Sequence, residues 1–167
     1  MENKLLHILE QAEEVIPLLL KNEVTWKSLY IDYEKPYVAR LWIPWKENRI
    51  YLHKIYPCAP EEALFHPHPW PSAMKIVRGM YEMGVGYGKG KKQPDVAARV
   101  NLAAGSSYAM DNKEGWHYVA PKLEPAYTLM ITGIPWKRWA PSRKQVLREL
   151  SELEKKELFS LFNVYYG

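Results

Sequence analysis

Two histidines stand one residue apart in the stretch Phe65 to Gly79, FHPHPWPSAMKIVRG. On an extended backbone, side chains two apart point to the same face, so His66 and His68 can offer two imidazoles to one ion. Pro67 and Pro69 lack amide donors and hold the chain extended, which suits a strand start or a sheet edge. Of the five histidines in the chain, His117 is the natural third donor. It lies in EGWHYVAP, among strand-forming residues, and could reach the pair from another strand. Three neutral imidazoles would leave coordination positions open to substrate or oxygen, as a catalytic rather than a structural site requires. An H-x-H pair alone more often reflects packing or surface histidines, so order and context must carry the reading.

Other residues can be placed around such a centre. If the parity of Ser72, Met74 and Ile76 holds to the end of their strand, Arg78 faces the same interior and could clamp a substrate carboxylate. A strand end that twists outward would leave it solvated instead. Arg40, in YVARLWIPW, is a similar candidate. Tyr51, Tyr108, Trp116 and Tyr127 lie on or beside expected strands. A tyrosine hydroxyl near an ion could position oxygen or a proton, and Tyr108 is the candidate for that role beside Arg78. His53, in RIYLHKIYP, is either a supporting polar partner or a packed histidine. His7 belongs to a helix, and Cys58 sits between prolines on a loop with no assigned role.

The elements that must position these residues follow from periodicity. Leu5, Leu6, Leu9, Ala12, Val15, Ile16 and Leu19 recur at helical spacing, so a helix is expected over 3–21, with a kink or break near Ile16 because Pro17 falls inside it. From Val24 onward the pattern turns to short β-branched and aromatic runs punctuated by Gly and Pro, the signature of an antiparallel sandwich or barrel over 24–136. After Pro141, helical spacing returns, with Ser142 as the expected N-cap of a helix over 142–162. The lysines of GKGKKQPD read as a solvated hairpin tip. No repeat or interior linker divides the 167 residues, so one domain is expected.

These motifs resemble those of the cupin superfamily. His66 through Gly79, followed by MYEMGVG, is similar to the first cupin motif: two histidines one apart, an acidic residue a few positions on, and a closing glycine. GSSYAMDNKEGWHYVAP, Gly105 to Pro121, is similar to the second, where a glycine opens a strand and a single histidine completes the metal site. The resemblance implies a double-stranded β-helix, mainly β, with flanking N- and C-terminal helices, and metal ligands His66, His68 and His117. The sequence departs from the pattern where cupins most often place a glutamate ligand, since Ser72, Ala73 and Met74 are not carboxylates. Glu82 could replace it only in an unusual register, and Glu114 suits an exposed turn. The turn before His117 is also altered, to Lys113-Glu114-Gly115-Trp116. The neutral donor set resembles the cupin thiol dioxygenases, such as cysteine dioxygenase. What this implies is an iron(II) dioxygenase acting on a small anionic or thiol substrate, with nickel, manganese or zinc as alternative ions. A metal-dependent isomerase or lyase, or a non-catalytic binding cupin, remains the alternative.

Composition narrows the classes further. A net charge of +4 without a broad basic face argues against nucleic acid as a partner. No run is long or apolar enough to span a bilayer, the start lacks a signal-peptide pattern, and the single cysteine fits a reducing compartment, so a cytoplasmic protein is expected. Seven Trp and twelve Tyr exceed what core packing needs and suit a cavity lining or a partner surface. A homodimer is expected from the resemblance.

Overall fold

Alternation along each strand decides what the sheets enclose and what they turn toward the helices. The computed structural model describes residues 3–142 and 145–167. Its strands are β1 (Lys27–Ile31), β2 (Val38–Trp45), β3 (Asn48–Ile55), β4 (His66–Pro67), β5 (Ser72–Arg78), β6 (Met80–Tyr87), β7 (Ala98–Ala103), β8 (Ser107–Met110), β9 (Gly115–Ala120) and β10 (Ala126–Thr132). They form a six-stranded sheet in the order β1-β2-β3-β10-β5-β8 and a four-stranded sheet in the order β4-β9-β6-β7, antiparallel throughout. The two layers are the expected β-sandwich, and the Gly- and Lys-rich segment forms the tip between β6 and β7, as expected.

In the large sheet, one parity faces helices. Leu41, Ile50, Leu52, Ala73, Leu129 and Ile131 pack with Leu9, Ala12 and Ile16 of helix α1 (Lys4–Leu19) and with Leu158, Phe159 and Phe162 of α2 (Glu152–Tyr166). Each fully buried Leu, Ile or Phe among them contributes about 1.5–3 kcal/mol. The other parity, which includes Arg40, His53, Met74 and Met130, faces the interior between the sheets.

The helices depart from their expected bounds for identifiable reasons. Asn3 caps α1 by accepting from the amides of Leu5 (2.9 Å) and Leu6 (3.3 Å). Pro17 does not break α1, because it lies in the last turn, where the Leu20 amide still reaches the Ile16 carbonyl at 2.9 Å. The C-terminal helix begins at Glu152 rather than 142. Ser151 and Glu154 form its capping box, while the preceding chain is committed elsewhere. The Tyr30 amide donates to the Arg148 carbonyl and the Leu150 amide to Ser28 Oγ, which holds this stretch extended beside β1. Residues 143 and 144 of the expected helix lie outside the described residues.

The register of the small sheet is fixed on its outer face. Gly84 pairs with Tyr118, and the phenol ring lies across the glycine so closely that a Cβ there would fall 2.0 Å from Tyr118 Cε1. Phe65 stands edge-on to the same ring at 6.1 Å, and the Tyr118 hydroxyl donates to Glu82 at 2.5 Å. Adjacent in the ladder, Val85 pairs with His117, so this lock determines which residues β9 turns inward.

Candidate metal centre

His66 of β4 pairs directly with His117 of β9, so both rings emerge on one face. His68 follows two residues after His66, on the same side. The three side chains converge: His66 Nε2 lies 3.1 Å from His68 Nε2, and His117 Nε2 lies 2.9 Å from His68 Nε2. One potential ligand nitrogen from each falls within 4.8 Å of the others. The triad drawn from the sequence is thus assembled in space.

Hydrogen bonding orients the rings. His66 Nδ1 donates to the Leu64 carbonyl at 2.9 Å, because a carbonyl only accepts, and this leaves Nε2 bare in the neutral ring. His68 Nδ1 faces Ser72 Oγ at 3.3 Å. The Trp136 indole donates to the His68 carbonyl at 2.8 Å, the Trp136 amide donates to the Pro69 carbonyl, and the Trp70 ring lies 4.7 Å from the His68 ring. His117 Nδ1 is buried with no partner among the described residues. Burial holds all three histidines below the ordinary imidazole pKa, reinforced at His68 by the charges of the neighbouring rings and of Arg40, and at His117 by that of His66.

This donor set fits a divalent ion. Three neutral imidazoles, two buried and one half-buried, bring their Nε2 atoms together and crowd the lone pairs there, and a cation relieves the crowding. Among the described residues no carboxylate joins them. Glu82 lies on the opposite face of β6, accepting from Tyr118 and lying 3.9 Å from Arg99, and Glu114 sits in the turn before β9, 3.7 Å from Lys89.

The triad forms one wall of a cavity of about 290 Å³. Trp70, Met74, Met130, Val38 and Ile55 make it largely apolar; Arg40 and His53, with Tyr33, Glu34 and Lys35, supply polar groups to its lining. Arg40 is half-buried, its remaining exposure being toward this space; its Nε donates to His53 Nε2 at 3.0 Å, and its guanidinium lies 4.9 Å over the Tyr51 ring. Among the described residues no carboxylate forms an ion pair with Arg40.

The two residues expected to act beside the metal are placed elsewhere. Arg78 is exposed and does not line the cavity. A bulge intervenes: Thr128 pairs with Ile76, but its neighbour Tyr127 pairs with Arg78, so Val77 is the extra residue. The parity that puts Ile76 inside therefore turns Arg78 to the outer face that Tyr127 shares. Tyr108 stands behind the cavity wall, its ring 6.4 Å from that of His117, and its hydroxyl is engaged by Tyr81 at 2.6 Å and by the Met74 sulfur at 3.2 Å. Burial raises the pKa of Tyr108 above the ordinary phenol value, so it stays protonated. Sequence reasoning missed Ser72, Thr128 and Trp136 as supports. Only Ser72 carried a signal, its place on the parity of Met74 and Ile76.

Solved structures share this architecture. Hydroxypropylphosphonic acid epoxidase from S. wedmorenis aligns with a TM-score of 0.50 at 11% identity, over 63% of this chain and 55% of that one. Iron(II) HppE with the alternative substrate (S)-1-HPP aligns at 0.55 and 12% identity, over 66% and 57%. Iron(II) HppE in complex with substrate aligns at 0.54 and 11%, over 66% and 58%. The fold is that of the cupins. At such low identity the likeness concerns the cupin sandwich alone, and the chain aligns with little more than half the length of each neighbour. No family model matches the sequence, and no curated protein matches it.

Proposed function

We propose that this cupin is a mononuclear metal-dependent enzyme in which His66, His68 and His117 hold iron(II), and that it oxygenates a small anionic or thiol substrate. The observation that carries this reading is the convergence of three neutral imidazoles on a cavity also lined by Arg40, with no carboxylate beside the imidazoles or ion-paired to Arg40 among the described residues. Held by His66, His68 and His117, such an ion would supply Lewis acidity and one-electron chemistry. A neutral donor set leaves the ion's charge uncompensated, which favours a thiolate or carboxylate co-ligand. Likeness of the donor set to the cysteine dioxygenase type supports the same substrate class. The iron in two of the structural neighbours is compatible with it.

The protein's own residues divide the remaining work. Arg40 attracts and orients the anionic group. Trp70, Met74 and Met130 enclose the reacting end and exclude water. Leu64 and Trp136 fix the backbone and ring of the two closely spaced histidines.

The test is metal content and oxygen consumption of untagged protein. Near-stoichiometric metal in wild type, lost in His66→Ala, His68→Ala and His117→Ala, with iron-dependent oxygen uptake on cysteine or another small thiol carboxylate, is the expected result. Absence of metal after anaerobic reconstitution with iron(II) refutes the reading. Turnover without oxygen, supported equally by zinc, would instead make the cupin an isomerase or lyase.

A further inference from the structure

One buried titratable group in the cavity has no part in that chemistry. His53 is 4% exposed and sits in the middle of a row that crosses three strands. Arg40 of β2 pairs with His53 of β3, and His53 pairs with Thr128 of β10. The side chains follow the same order, with Arg40 Nε 3.0 Å from His53 Nε2 and His53 Nδ1 3.3 Å from Thr128 Oγ1. An arginine Nε can only donate, so His53 Nε2 must be a bare acceptor. The neutral ring then carries its proton on Nδ1, facing the fully buried Thr128 hydroxyl.

We infer that His53 is a positioning residue, fixed as its Nδ1–H tautomer by Thr128, which occupies the Nε edge of Arg40 and commits the two terminal amino groups to a planar carboxylate in the cavity. This rests on the proposed function and narrows its substrate to a small carboxylate with an apolar body. A guanidinium offers a carboxylate either its end, through both terminal nitrogens, or its side, through Nε and one of them. With Nε taken, only the end remains. Tyr51, 4.9 Å beneath the guanidinium, limits rotation of its plane. An acidic partner in place of His53 would neutralise Arg40 and remove the attraction for a ligand anion. Burial and the Arg40 charge both lower the pKa of His53, which keeps it an acceptor. The apolar body is set by Val38, Ile55, Trp70 and Met130, which line the same cavity as Arg40 and the triad.

The experiment measures propionate and propionamide binding calorimetrically to the protein as purified, with metal content determined in parallel, for wild type, His53→Leu, His53→Gln and Arg40→Met. Propionate is expected to bind wild type and to weaken about 10-fold or more in His53→Leu and Arg40→Met, while propionamide binds all four equally. His53→Gln, which keeps an acceptor for Nε, should restore affinity to within about 3-fold of wild type. Equal propionate affinity in wild type and His53→Leu overturns the inference, as does loss of metal from His53→Leu. Failure of propionate to bind wild type also overturns it. If all variants lack metal but the propionate pattern holds, the metalloenzyme reading fails while the positioning role stands. Nitrogen-15 NMR of the wild-type imidazoles gives an answer that needs no variant to fold. A protonated Nδ1 and bare Nε2 at His53 are expected, and the opposite tautomer refutes the arrangement.

Discussion

The lock between Gly84 and Tyr118 can be tested by adding a single methyl group. In Gly84→Ala the new Cβ would lie 2.0, 2.6 and 2.7 Å from Tyr118 Cε1, Cζ and Cδ1, so the ring must move. It has nowhere easy to go. Phe65 abuts one side, the hydroxyl is bonded to Glu82, and the residue is 4% exposed. Forcing the ring off its rotamer costs about 0.5–1.5 kcal/mol. Weakening a hydrogen bond to a charged acceptor costs up to roughly 1.5–3 kcal/mol, discounted here because the Glu82 acceptor is only partly buried. Together these give about 2–3 kcal/mol, or a fall in Tm of roughly 4–12 °C for a chain of this size. The assay is urea unfolding followed by tryptophan fluorescence, run as a double-mutant cycle with Tyr118→Ala. In the Tyr118→Ala background the ring is gone, and Gly84→Ala should be neutral or stabilising by about 0.4–1 kcal/mol through the unfolded chain. A cost below about 0.5 kcal/mol in wild type, or an equal cost in both backgrounds, would refute the argument that the ring and the missing Cβ are one device.

Three further outcomes are expected. Saturating zinc or cobalt(II) at 100 times its dissociation constant should stabilise wild type by about 2.7 kcal/mol, seen as a rise in Tm that chelation reverses and that His117→Ala abolishes. Arg40→Met should raise KM for a carboxylate substrate about 10-fold or more while changing kcat less, because a ground-state anchor is removed. In Glu154 the Arg148 guanidinium, bonded through both nitrogens at 2.8 Å, holds the carboxyl at about 2, below its ordinary 4.5. Since the folded pKa is depressed, its contribution is present above pH 4.5 and lost as pH falls toward 2. The difference in Tm between wild type and Glu154→Gln should therefore shrink across that interval, and only modestly in size because the pair is largely exposed. A difference that stays constant from pH 5 to pH 2 would contradict the assignment.

How far the sequence could be read depended on whether a feature was local. The triad was legible because parity within His66-Pro67-His68 puts two imidazoles on one face, and because the order and spacing of the motifs around them and around His117 resemble those of the cupins; parity alone did not single it out. Arg78 was misplaced by the same parity argument, since the bulge at Val77 depends on how β5 meets β10, and nothing in SAMKIVRG marks it. The late start of α2 has a similar origin. Residues 145–150 carry helical spacing, yet the Arg148 carbonyl and the Leu150 amide are engaged by β1, a partner far away in the sequence. Arg40 and His53 were noticed singly, but their side-by-side register across β2 and β3 is a tertiary fact. Thr128 and Trp136 were invisible, being ordinary residues whose value comes only from what they touch.

The cross-strand pairing of His66 with His117 has a consequence for biosynthesis. His117 and His68 are 49 residues apart, and between them lie β5, β6, β7 and β8. A nascent chain that has emerged only as far as Asn112 therefore displays a two-imidazole fragment, which would release an ion readily. Tight retention begins when β9 docks between β4 and β6, a late, long-range event in a fold dominated by distant contacts. A divalent ion held by all three rings would therefore be retained only on completion of the topology.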